Sequence, residues 1–154
     1  MDYLVLKWLH ILSSTVLFGT GLATALHMLL AHRSGDVRAI AVTTRNVVRA
    51  DWFTILPAGI IQPLSGAALI HLASWNPATP WLMLSYGLFA LAGGCWIVVV
   101  FLQLRMRDLA LQAAASAAAL PSAYHRLFAL WFALGWPAFL GLVVVFALMV
   151  MKPG

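Results

Sequence analysis

Residues 4–31 read LVLKWLHILSSTVLFGTGLATALHMLLA, and the fold follows from how such a run must be accommodated. At about 1.5 Å of rise per residue, a helix of this length crosses a hydrocarbon layer of about 30 Å, so the run predicts a membrane helix. At about 100° per residue, His10, Ser13, Ser14, Leu17, Gly21, Thr24 and Met28 fall on one polar, small-residue stripe. Lipid does not favour such a face, and it is expected to meet other helices. His10 leads the stripe, so its partner on a neighbouring helix decides the site.

The 154 residues are 64% apolar and 8% charged, against roughly 45–50% and 25% in an ordinary soluble domain. This is the composition of an integral membrane protein, and residues 1–154 are read as a single four-span transmembrane domain. No basic leader precedes the first run and no small-residue cleavage site ends it, so the first helix is expected to be retained. Cys95 is the sole cysteine. That excludes an internal disulfide, a paired-thiol redox motif and covalent c-type haem attachment.

The expected spans are about Leu4–Ala31, Trp52–Ala73, Trp81–Leu104 and Leu127–Met151. Arg33, Arg38, Arg45 and Arg49 lie between the first and second, and Arg105, Arg107 and Arg126 between the third and fourth. Lys7 and Lys152 lie at the other end. By the positive-inside rule the basic loops are cytoplasmic and both termini outside, as in a multi-pass protein of a bacterial inner membrane. The bias also explains the net charge of +5 without nucleic acid as a partner. Tyr3, Trp8, Trp75 and Trp81 are expected to mark the outer interface, Trp52 and Tyr124 the inner one.

Between the spans, Ser34-Gly35-Asp36 reads as a turn with an N-cap. Val37, Ile40, Ala41, Val47 and Val48 then recur opposite Arg38, Arg45 and Arg49, which predicts an amphipathic helix running on toward the second span. Pro57 and Pro63 should bend the second span and free carbonyls beside Gln62, Ser65 and Gly66. Thr79-Pro80 marks the start of the third helix, which is expected to extend to about Ala119 on its alanine content. Pro121-Ser122 starts the fourth, kinked at Trp136-Pro137. The fold class is therefore all-α: an integral membrane four-helix bundle with kinked second and fourth helices and cytoplasmic extensions of the second and third.

The chain has no Glu, and Asp2, Asp36, Asp51 and Asp108 fall at helix ends or in loops. No charged residue occurs from Trp52 to Leu104, which counts against a proton-coupled carrier with buried carboxylates along its path. Phosphate loops, zinc-protease pairs and a catalytic triad are absent as well, and no catalytic residue is assigned. Histidines remain. Counted from the interfacial aromatics, His10 and His71 reach similar depth near the outer face. His27, His32 and His125 gather near the inner one.

A histidine pair on facing bundle helices holds b-type haem without covalent bonds, so haem b on His10 and His71 is the leading expectation. Ser14, Gly21 and Gln62 are read as lining that cofactor site, and electron transfer with quinone or a redox partner protein would follow. The alternative is copper, with the same histidines joined by Met83, Met149 and Met151, because soft thioethers suit Cu(I). His27 and His125 are candidates for a second haem, and Trp96 and Trp136 for a quinone pocket wall. A further alternative is a cofactor-free assembly subunit, including a homo-oligomer, whose small-residue faces bind other helices.

Three stretches carry a family resemblance: Lys7-Trp8-Leu9-His10-Ile11-Leu12-Ser13-Ser14 with Phe18-Gly19-Thr20-Gly21, Asp51-Trp52-Phe53 with Gln62-Pro63-Leu64-Ser65-Gly66, and Trp131-Phe132-Ala133-Leu134-Gly135-Trp136-Pro137. Together they resemble the domain-of-unknown-function 2269 family of integral membrane proteins over essentially the whole chain. The Leu-His opening followed by Phe-Gly is distantly similar to the copper-resistance D-type membrane domain and the J-type protoporphyrinogen oxidase. That likeness implies a four-helix scaffold on which His10 serves metal or haem chemistry. It is an analogy of fold and carries no reaction.

Overall fold

The computed structural model describes residues 2–153. Among them, four helices are long and apolar enough to cross a membrane, and they form an up-down bundle. Helix α1 spans Tyr3–Ser34 and α2 spans Val37–Ala50. A five-residue π-helical segment, Asp51–Ile55, joins α2 without a break to α3, Leu56–Leu72. Helices α4, Pro80–Ala115, and α5, Ser122–Met151, complete the bundle. Both termini and the α3–α4 loop share one end, here the terminal end. The arginine-bearing loops and α2 share the other, the basic end.

Local chemistry accounts for the joints. Gly35 ends α1 at φ 69°, a left-handed conformation that costs a residue without a Cβ little. Asp36 then caps α2, its Oδ1 accepting from Arg38 N at 2.8 Å and Ala39 N at 3.3 Å. Helix α2 buries Ile40, Ala41, Thr43, Thr44, Val47 and Val48 and exposes Arg38, Arg45 and Arg49, as its sequence pattern predicts. The π turn has its cause in Pro57, in the first turn of α3. Pro57 has no N–H to give and its ring crowds the carbonyl four residues back, and the wider turn relieves that crowding. Leu56 N–H bonds Asp51 O there.

Two boundaries differ from the sequence reading. Helix α4 stops at Ala115 rather than near Ala119. Ala117 turns left-handed at φ 49°, and Ala118 N bonds Ala113 O at 3.0 Å. This is the Schellman closure usually made by glycine, here built on alanine, so the sequence carries no punctuation for it. Helix α3 closes the same way through Ser74, at φ 53°, with Trp75 N on Ile70 O at 3.1 Å. Thr79 precedes α4 without capping it by its side chain; its hydroxyl donates to Asn76 O at 2.6 Å. Pro63 and Pro137 lie inside α3 and α5, and both helices continue through them.

The spans pack as two pairs. Helix α1 lies along α3, α4 lies along α5, and the pairs are tied chiefly at the basic end, where α2 packs on both α4 and α1. The buried core reflects this. Met28, Ile40, Ala41, Val47, Met106, Ala110, Tyr124, Phe128 and Trp131 form one cluster at the basic end. Trp81, Leu82 and Leu148 form a smaller one at the terminal end. Between the clusters α1 meets α5 through Phe18, whose ring stacks on Phe139 at 5.2 Å and meets Phe146 edge-on at 5.3 Å, and beside this contact a cavity opens inside the membrane-spanning region.

Candidate functional site

Two polar sites lie within the bundle, one near each end. At the terminal end the α1 stripe meets α3. His10 Nδ1 is 2.8 Å from Ser65 Oγ, and His10 Nε2 is 3.0 Å from Gln62 Nε2. Ser65 Oγ donates to Ile61 O at 2.7 Å, so toward the ring it accepts, and the network assigns the imidazole proton to Nδ1. Nε2 then accepts from the Gln62 amide, whose Oε1 accepts in turn from the Ser13 hydroxyl. The helices approach closely because α3 carries Gly66, where an added Cβ would stand 3.3 Å from His10 Cε1. Both ring nitrogens are therefore engaged by protein. The arrangement is an interhelical lock whose individual bonds are worth up to about 1–2 kcal/mol in a membrane.

His71 is not part of it. It lies five residues beyond Gly66 on α3, about 7.5 Å further along the axis, where it is exposed and lines a separate recess of about 460 Å³ with Trp75, Pro77 and Tyr86. The expected His10–His71 pair is not brought together, because depth counted from interfacial aromatics misses which turn of α3 meets His10. The α1–α3 contact on that side of His10 is tight, at Gly66. Ser14 turns back on its own helix, its hydroxyl donating to Ile11 O at 2.7 Å. Met83 and Met151 are exposed, and Met149 packs against the terminal-end cluster. Among the described residues no group of three or more His, Cys, Asp or Glu could hold a metal ion.

At the basic end His27 is exposed, and His32 rather than His27 meets His125, with ring centroids 5.6 Å apart. His32 also stacks on Phe128 at 3.7 Å. The second pair expected there, His27 with His125, is thus replaced by an aromatic stack that belongs to the core.

The cavity is the larger feature. It holds about 650 Å³ and takes walls from all four spans: Leu17, Phe18 and Gly21 on α1, Leu56 and Gly59 on α3, Phe89 and Trp96 on α4, and Trp136 and Phe139 on α5. Gly21, Trp96 and Trp136, all singled out from the sequence, therefore line this space and not the His10 lock. The lining is almost wholly apolar; Asp51 and Gln103 are its polar groups toward the basic end, joined by the indole of Trp131 and, two turns of α4 further in, that of Trp96. Thr24 also lines it, but its hydroxyl is taken by Thr20 O at 2.9 Å.

The basic-end polar groups are deeply buried and under-satisfied. Asp51 is 3% exposed and Gln103 4%. Gln103 approaches the Asp51 carboxyl, yet Asp51 Oδ2, Gln103 Oε1, Trp96 Nε1 and Trp131 Nε1 have no hydrogen-bond partner. No Lys or Arg within ion-pair distance offsets Asp51 among the described residues, where Arg107 with Asp108 is the ion pair formed. Buried polar atoms without partners are rare and costly, and four around one cavity call for a ligand's polar atoms. Sequence reasoning treated Asp51 as a helix-end residue and passed over Gln103. The usable signal was their position, one just before and one nearly at the end of the charge-free stretch from Trp52 to Leu104. The π turn at Pro57 supplies what the pattern lacked, since the carboxyl begins that turn and lines the cavity.

A family model described as "Predicted integral membrane protein (DUF2269)" matches residues 4–153. No curated protein and no solved structure matches the chain. The match spans nearly the whole sequence, and the chain belongs to this family of integral membrane proteins.

Proposed function

Since the family fixes a membrane setting and leaves the activity open, we propose that the protein binds a lipid-soluble small molecule inside the bilayer, in the cleft between the α1–α3 and α4–α5 pairs. The observation that carries this reading is the 650 Å³ cavity lined by all four spans, with four unpartnered polar atoms among its lining residues. Ligand sites are concave, mostly apolar and equipped with a few polar groups that orient the occupant. The arginine bias puts the basic end in the cytoplasm, in a bacterial inner membrane, with both termini outside. The polar end of the cavity then lies near the cytoplasmic face and its apolar part reaches toward the bilayer centre.

Cavity filling tests the reading. Gly21 and Gly93 line the cavity and a Cβ at either meets nothing within 4 Å, so Gly21→Leu with Gly93→Leu adds bulk at its wall. Trp96, Trp131 and Trp136 line the cavity and report occupancy by fluorescence. A lipid-soluble quencher is expected to bind the wild type saturably and the double variant at least tenfold more weakly. Equal binding to both overturns the reading. Absorption spectra of the same preparation, air-oxidised and dithionite-reduced, decide the haem alternative. A Soret band lost in His10→Ala would mean that Gln62 gives up Nε2 to iron, and the functional centre would move to the terminal end.

A further inference from the structure

We infer that Asp51 and Gln103 form the head-group site of this cavity and take a neutral ring bearing hydroxyl or carbonyl oxygens, of the quinol class. The inference rests on the cavity reading above and adds the chemistry of what enters.

The unpartnered atoms define complementary demands. Gln103 Oε1 calls for a donor, because an amide oxygen only accepts, and Asp51 Oδ2 accepts when ionised and donates when protonated. Trp96 Nε1 and Trp131 Nε1 only donate and call for acceptors. A hydroxyl answers either demand, since its oxygen accepts while its hydrogen donates. An ammonium head would serve the acceptors and leave both indoles unanswered. It would also enter the end of the molecule that carries Arg33, Arg38, Arg45, Arg49, Arg105, Arg107 and Arg126, whose summed potential repels cations. A carboxylate head would bury a charge beside Asp51 with no cation at the site, among the described residues, to offset it. Neutral donor–acceptor heads remain.

Shape selects a ring among them. Trp96, Trp131 and Phe132 stand around the polar end, and flat aromatic walls favour a planar ring over an aliphatic alcohol. The apolar part continues from Trp131 to Leu142 along α5, eleven residues or about 16 Å of rise, which suits an alkyl or isoprenoid tail.

Tryptophan quenching with three probes sharing a decyl tail tests this: a benzoquinol, a benzene without oxygens and a primary ammonium. The wild type is expected to hold the quinol at least tenfold more tightly than either other probe. Asp51→Leu and Gln103→Leu are each expected to weaken the quinol at least tenfold and leave decylbenzene unchanged. If quinol and decylbenzene bind alike and neither substitution matters, the head-group site is refuted and the cavity stands. A preference for the ammonium also refutes it. If no probe distinguishes the wild type from the cavity-filled Gly21→Leu, Gly93→Leu variant, both readings fall. Thermal unfolding of each variant in detergent confirms folding, and should Asp51→Leu not fold, Gln103→Leu and Asp51→Asn carry the same comparison.

Discussion

The two polar sites use similar side chains to opposite ends. At the terminal end an imidazole, an amide and two hydroxyls close a network in which each ring nitrogen of His10 has a partner from α3 and Ser13 holds Gln62 in place. At the basic end a carboxyl, an amide and two indoles surround a cavity and leave four polar atoms without partners. Polarity inside a membrane is therefore not itself the mark of a ligand site. A satisfied network stabilises helix contact, whereas an unsatisfied one carries a desolvation cost that a bound molecule can relieve.

Stability measurements would break or sharpen that contrast, because substitutions at the two sites should act with different sign. The largest effect is expected at Gly66→Leu. Its side chain meets the His10 ring across a gap already tight for a Cβ, and overpacking of this kind costs about 1–3 kcal/mol. Detergent-denaturation midpoints read it, and an unchanged midpoint would mean that α1 and α3 do not meet at Gly66. Next comes Gln62→Leu, which strands His10 Nε2 and leaves the Ser13 hydroxyl to the His10 carbonyl alone, at a cost of about 1 kcal/mol. Combined with His10→Ala it should be less than additive, since the two residues share one network.

Asp51→Leu is expected to leave the midpoint unchanged or raise it, by about 1 kcal/mol at most, because relief of a buried carboxyl oxygen without a partner offsets the lost contact with Gln103. The same variant loses the quinol probe, so stability and binding part company. A larger loss of stability here than at Gln62 would reveal a structural role for Asp51 and collapse the contrast. Smallest of all is Ser14→Ala, within about 0.5 kcal/mol, because that hydroxyl serves only the Ile11 carbonyl of its own helix. A cost comparable to Gln62→Leu would place Ser14 in the lock after all.

Much of the fold was legible because membrane helices announce themselves by length and hydropathy. All four spans, the amphipathic α2, the Asp36 cap and the inward stripe on α1 follow from periodicity and turn chemistry. Gln62 was marked by its place among two prolines, and it does meet His10. The His10–His71 pairing was not recoverable from depth, since a few residues of offset along α3 separate contact from isolation. The alanine-built Schellman turn after α4 left no trace either, as left-handed geometry at Ala117 opposes residue preference and is imposed by the helix end it closes.

By itself the sequence determined an all-α membrane bundle, its number of spans and its asymmetry of charge, because hydrocarbon tolerates only helices whose backbone bonds close internally. Only the tertiary structure decided which polar residues are spent on holding helices together and which remain available. That distinction lies in the partners each atom finds across the bundle, and here it turned on a π turn at Asp51 and on a cavity left between two helix pairs.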